Sequence, residues 1–422
     1  MASNIENKDY HAGFIEIVDI ILTNQWGKKT SLLPFFIEMN IQEDIFMPVI
    51  HGNMTLVDSV DLYSTFPIIG EEELTIKYKD YVSDVVTQKF YVYSVPNKEF
   101  ANEKTSTYIL EFCSEELLMS KSIRYSKSYQ KMLASDIVAD AFSRLKSDKK
   151  ITVAKTVGLQ NYISTYLSPF EVISSMTSRS ISAKNEKGSF LFFENSSGFY
   201  YESIETLIQK PALKYYIGDA SIKSNVGRMF VIKNYRYESP ANKLNNMLTG
   251  THGVKIKTLD LLNRKMTEDN SYDHFGDQYK EIKRINSENP DLKTTTEKFK
   301  FKSNDSVYKI VIQHPENAST KNDVLAKRYN ILTSYRNGPK IHAELPFNAT
   351  IAVGDMVDIT IPKSNVKQES DIIEYDKYIQ GKYLVTALRK LIRQGDSVVI
   401  AEFSKDTYTK SIKENIEKER SI

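Results

Sequence analysis

Residues 73–78, Glu-Leu-Thr-Ile-Lys-Tyr, alternate polar and apolar side chains without a break. Successive side chains of a β-strand point to opposite faces, so a period of two predicts a strand with one face in a core and the other in solvent. The same grammar recurs in the first and last hundred residues, with little helical periodicity in either. A chain patterned this way at both ends is committed to β-sheet there.

Toward the N-terminus, strands are predicted over 14–22, 32–40, 88–95 and 105–113, with a half-buried strand from His51 that ends in Asp58-Ser59 and feeds a short helix. Strands at this spacing argue a small antiparallel barrel or sandwich. The character changes near Ser114. Ser114-Glu115-Glu116-Leu117 opens a helix, and residues 136–142 repeat apolar side chains at helical spacing. Ser168-Pro169-Phe170-Glu171 is the clearest local signal: an N-cap serine, proline at the first helical position, and a glutamate able to bond back to the cap. Two aromatic strands, 189–194 and 199–202, flank Asn195-Ser196-Ser197-Gly198 as a hairpin.

Strand character returns at 229–237. Residues 250–320 are polar and irregular, with a modest amphipathic helix marked by Phe275, Tyr279, Ile282 and Ile285 and a loop at 286–297. A helix is predicted at 323–332 and strands at 341–345 and 353–362, the latter ended by Pro362. Strands at 383–392 and 397–403 flank the turn Arg393-Gln394-Gly395-Asp396.

With 422 residues, the chain is expected to divide into two to four domains. No stretch approaches the ~20 apolar residues of a membrane helix. The polar start, Met1 to Tyr10, lacks the apolar core of a secretory signal, so synthesis in a cytoplasm is expected. Cys113 is the sole cysteine, which excludes an intrachain disulfide, and its apolar neighbours predict a buried, inert thiol. A net charge of +2, with both signs interspersed, is not that of a dedicated nucleic-acid binder. The 26 tyrosines suit broad sheets and protein interfaces.

The residues assemble no catalytic motif. Histidines at 11, 51, 252, 274, 314 and 342 are too scattered for a metal cluster. Neither a phosphate-binding loop nor Gly-x-Ser-x-Gly is present. Glu71-Glu72-Glu73 and Glu115-Glu116 offer carboxylates of the kind a glycosidase uses, but both abut turns and are expected to be solvated edges. No catalytic, cofactor or metal residue is therefore assigned. Ile412 and Ile416, four apart in the charged segment 405–422, are the one possible partner-docking pair.

Gly52 to Ser59 with Leu62, Pro67 to Ile76, Tyr91 to Val95, Tyr108 to Ser114, the Ser168-Pro169-Phe170 helix before its aromatic hairpin, Leu345 to Asn348, Val353 to Pro362 and Gly381 to Phe403 together resemble the baseplate hub proteins of contractile-tailed bacteriophages. That fold recurs in the spike base of type VI secretion machines. The resemblance runs in order along nearly the whole chain and aligns least over 263–306.

The resemblance implies a β-rich α+β, multidomain fold. A first tube-like antiparallel β-barrel module spans 1–113 and an α+β domain 114–212. A second module starts over 213–262 and is completed by 321–405, around a polar insert or small domain at 263–320, with a charged helix or tail at 406–422. It also implies a non-enzymatic virion protein made in the host cytoplasm. Three copies would form a hub ring joining the central spike to the sixfold tail tube, beside surrounding baseplate proteins, with DNA passing through unread. The rival readings are a distal tail or tube-initiator protein with the same module, a tail-associated cell-wall hydrolase, and a host-binding adhesin. The 422-residue length with a middle domain favours the hub, since one module needs about 150–200 residues.

Overall fold

A computed structural model of the chain describes residues 13–80, 84–102, 105–217, 228–238, 255–260, 263–269, 285, 308–313, 322–362, 375–376, 378–394 and 397–406. The N-terminal part holds β1 (Ile15–Thr23), β2 (Lys29–Ser31), β3 (Phe36–Asp44), β4 (His51–Asp58), α1 (Leu62–Thr65), β5 (Glu73–Asp80), β6 (Val86–Ser94), β7 (Lys98–Asn102) and β8 (Thr105–Cys113). The alternation that predicts β5 is borne out at its apolar positions, although Thr75 between them is buried as well. Leu74, Ile76 and Tyr78 are buried on β5, as are Tyr108, Leu110 and Phe112 on β8. Gly52 lets β4 pass close to its neighbours. A Cβ there would lie 2.2 Å from the Asn40 carbonyl oxygen and 2.6 Å from the Phe112 ring.

The middle part contains α2 (Glu115–Ser122), β9 (Tyr125–Leu133), α3 (Ala134–Ser143), β10 (Ile151–Val153), β11 (Thr156–Val157), β12 (Leu159–Leu167), α4 (Pro169–Thr177), β13 (Ile181–Ser182), β14 (Phe190–Asn195), β15 (Gly198–Ser203) and α5 (Ile204–Leu207). At α4 the capping box forms in full. The Ser168 hydroxyl accepts from the Glu171 amide, and the Glu171 carboxylate accepts from the Ser168 amide. A second core lies between the helices and the β14–β15 hairpin. Phe192 and Phe199 stack at 5.6 Å, with Phe142 of α3 and Phe170 of α4 packed on them at 5.0 and 5.3 Å. Such a buried ring contributes about 1.5–3 kcal/mol by area alone.

The C-terminal part contains β16 (Ala212–Ile217), β17 (Val231–Ile232), β18 (Asn234–Glu238), β19 (Lys255–Asp260), β20 (Lys265–Asp269), β21 (Tyr308–Gln313), α6 (Asn322–Asn337), β22 (Lys340–Pro346), β23 (Met356–Thr360), β24 (Gly381–Arg393) and β25 (Val398–Ser404). β20, β19 and β21 form their own three-stranded sheet. Of the amphipathic helix expected around Phe275, Tyr279, Ile282 and Ile285, only Ile285 falls among the described residues, and Ile412 and Ile416 fall outside them.

The strand pairing of the two β-rich parts follows one plan. Hydrogen-bonded neighbours run β3-β4-β8-β6-β5-β1 in the first part and β18-β22-β25-β24-β23-β16 in the second. Counting only these six strands of each part in chain order, and leaving β2, β7, β17 and β19 to β21 aside, both are second, third, sixth, fifth, fourth, first. One strand differs in direction: β1 lies antiparallel to β5, whereas β16, entered from α5, runs parallel to β23.

Two separate antiparallel barrels are not what forms. Among the described residues no sheet closes into a barrel. Both parts merge in one 15-stranded sheet that includes parallel pairs. The reason lies in β24. It has 13 residues and pairs with β23 only over Gly381–Leu384, so its second half needs another neighbour. That neighbour is β3 of the first part.

Candidate assembly interface

The β24–β3 seam runs antiparallel from Ala387↔Asp44 to Arg393↔Glu38. Three polar contacts stitch it. Arg393 Nε donates to Glu38 at 3.1 Å, Arg389 Nε to Asn40 at 2.7 Å, and Lys390 Nζ to Glu43 at 2.8 Å. The first is partly exposed, as such pairs usually are, and contributes at most ~1 kcal/mol. Both members of the Lys390–Glu43 pair are fully buried. Burial opposes the lysine's charge, but the Glu43 carboxylate beside it outweighs this and holds Lys390 above its usual pKa. Glu43 also accepts from the Val353 amide at 3.4 Å. The pair therefore needs β3, β24 and the loop before β23 to be in register together.

The middle part contacts both β-rich parts through the tip of its aromatic hairpin. Glu194 accepts from the Ile50 amide of the first part at 2.9 Å, and the Asn195 side-chain amide donates to the Val353 carbonyl of the second at 3.1 Å. Lys149 bridges Glu194 at 2.6 Å and Glu116 at 3.0 Å. Burial works against its charge, yet the two carboxylates raise its pKa. Gly198 makes the tip possible. Its φ is +128°, and a Cβ there would lie 2.4 Å from the Lys150 carbonyl oxygen. A cleft of about 300 Å³ opens here, lined by residues 87–90, 194–198, Ile50, Lys149 and Lys150. Lys149 is committed to its two carboxylates, so the cleft is held by structural polar groups.

The carboxylate clusters are not simply solvated edges. Glu72 is buried and accepts from the backbone amides of Ile69, Gly70 and Glu71. Glu116 is buried against Lys149 and Ser147. The turns provide these groups with amides or a lysine, and burial follows. Cys113 is buried, and burial pushes its thiol up to about 12. His51 sits on β4, while His342 on β22 contacts Glu238 at 3.1 Å. The other four histidines lie outside the described residues. Among the described residues no group of three His, Cys, Asp or Glu is placed to hold a metal, and no helix is long and apolar enough to cross a membrane. Sequence reasoning missed Lys390–Glu43. Its one signal is a lysine amid the apolar run 383–392.

This arrangement of two β-rich parts around a small part of helices and short sheets is similar to that of solved tail proteins. The prophage MuSo2 43 kDa tail protein from Shewanella oneidensis has the same fold, with a TM-score of 0.53 and 9% identity over 92% of this chain and 98% of that one. A tail protein from Neisseria meningitidis MC58 matches at 0.50 and 8% identity over 92% and 96%. A chain of the lidless PdpA–VgrG complex matches at 0.50 and 12% identity, over 95% of this chain and 66% of that one. No family model matches the sequence, and no curated protein matches it.

Proposed function

We propose that the chain is a non-enzymatic baseplate component of a phage tail, in which three copies form the hub ring between a threefold central spike and the sixfold tail tube. The observation that carries this reading is the common strand order of the two β-rich parts. A chain with two like modules offers six in a trimer, which matches three below to six above.

Each part is then read as one tube-like module of the shared sheet. In the second, β17 pairs with β16 and β18 with β22, with Lys233 alone between them. The likeness in fold to two tail proteins supports the setting. The partners are the spike, the tube or its initiator and neighbouring baseplate proteins, in a virion assembled in the host cytoplasm. DNA crosses the channel without being read, and the protein does not insert in a membrane.

Electron microscopy of the purified assembly tests the reading. A threefold ring with a central channel is expected; a compact monomer or a dimer at all concentrations refutes it. Ile412 and Ile416 dock on the spike or the next ring, so a chain ending at residue 405 should form the same ring yet capture less spike or tube protein. Undiminished capture removes that assignment.

A further inference from the structure

The β24–β3 seam has a counterpart in the strand plan, built from two other strands. Among the described residues β7 is paired only with β8, and β18 only with β22. The two modules can be matched rung by rung. Tyr91↔Cys113 on β6 and β8 corresponds to Leu384↔Ser404 on β24 and β25. Each ladder then slips at a bulge, between Val92 and Ser94 and between Val385 and Ala387. The adjoining ladders agree, since Glu73 faces Tyr91 as Met356 faces Leu384.

Carried outward, Glu99↔Thr107 matches Leu391↔Val398, so β7 occupies the place of the second half of β24. On the other side His51↔Cys113 matches Lys340↔Ser404. Asn40↔Asn53 then matches Arg236↔His342, and β18 occupies the place of β3. The internal seam sets Leu391 opposite Asn40 and Ile392 opposite Met39. The equivalent rungs are Glu99 opposite Arg236 and Phe100 opposite Tyr235.

We propose that β7 of one copy pairs antiparallel with β18 of a second copy in this register, a head-to-tail contact that repeats the internal seam. It rests on the ring reading and gives it a specific interface. The register places opposite charges together, Glu99 against Arg236, both exposed. It also sets two large exposed rings face to face, Phe100 at 74% and Tyr235 at 42% exposure. Opposed aromatics and opposed charges are the pairs that stabilise antiparallel strands. The two edges differ, so the contact is heterologous and closes a ring where its rotation allows. It also covers edges that would otherwise recruit foreign strands.

The test mixes full-length Phe100→Cys chain with full-length Tyr235→Cys chain under mild oxidation. Directly opposed residues have Cα atoms about 4.5–5.5 Å apart, within disulfide reach. Cys113 is buried and does not compete. A disulfide-linked dimer of unlike chains is expected, with none from either variant alone. Glu99→Arg should loosen association several-fold, and adding Arg236→Glu should restore it. A ring that forms without this cross-link, or Phe100→Cys chains that link to one another, overturns the interface and leaves the ring reading standing. A chain that stays monomeric at every concentration overturns both.

Discussion

Replacing Lys390 by methionine should cost more than any single exposed contact of the seam. The substitution keeps the length and apolar stem of the side chain but removes the ammonium 2.8 Å from Glu43. Among the described residues, Glu43 then remains fully buried with the long Val353 amide contact at 3.4 Å as its one hydrogen bond. Breaking a buried ion pair from one side costs about 3–5 kcal/mol, whereas replacing both partners by apolar groups is often neutral. Hydrogen exchange over 36–44 and 381–393 reads the seam locally, which matters because a chain of 422 residues need not unfold in one step. Seam amides should exchange about a hundred-fold to several thousand-fold faster in Lys390→Met, since each 1.4 kcal/mol is tenfold. The double change Lys390→Met with Glu43→Leu should recover most of the loss. Exchange within about tenfold of wild type in the single variant, or no recovery in the double, would falsify the claim that the pair fixes the seam.

Three further outcomes are expected. Gly52→Ala forces a methyl against the Asn40 carbonyl and Phe112, and should lower stability by about 1–3 kcal/mol or abolish soluble expression, read by urea denaturation. Ser168→Ala removes the acceptor for the Glu171 amide and should cost about 1 kcal/mol, read by exchange of the α4 amides. Lys405 is buried, and burial lowers its pKa to about 7 although its ammonium faces the carbonyls of Tyr378, Ile379 and Gln380. From about pH 7 up to the unfolded lysine value of about 10.4, the unfolded chain binds the extra proton, so stability rises with pH. One proton is involved, so the slope is at most about 1.4 kcal/mol per pH unit. Lys405→Met should remove that rise in a pH series of melting temperatures.

What the sequence revealed and what it hid divide by range. The strands of Glu73–Asp80 and Thr105–Cys113 are legible because half their residues face a core, and the capping box at Ser168 because its partners are three residues apart. β9 and β12 went unread because most of their residues are not buried, so Tyr125–Leu133 carries serines and lysines where an apolar period would stand. Glu116 looks solvated in sequence because its partner, Lys149, is thirty-three residues away. Pairing between β24 and β3 is set by contacts more than three hundred residues apart, as in Lys390–Glu43, and no local pattern encodes it.

The internal seam and its proposed external counterpart also differ in a way that physics requires. Lys390 and Glu43 are never separated by more than the folding of one chain, so their charges are buried as they pair. An interface formed between folded copies has no such protection, because a buried charge awaiting its partner bears the full desolvation penalty beforehand. The position of Lys390 is held in the first β-rich part by Lys98, which lies 3.7 Å from Asp61 of its own chain. The complementary pair falls instead on exposed Glu99 and Arg236. Such charges stay hydrated until they meet and then act chiefly on register and encounter. Raising salt should therefore weaken association between copies while leaving the β24–β3 seam intact, because screening reaches exposed pairs far more than buried ones. Sedimentation velocity across a salt series, with exchange at 36–44 as the internal control, separates the two. Equal salt sensitivity of both would contradict this division of labour.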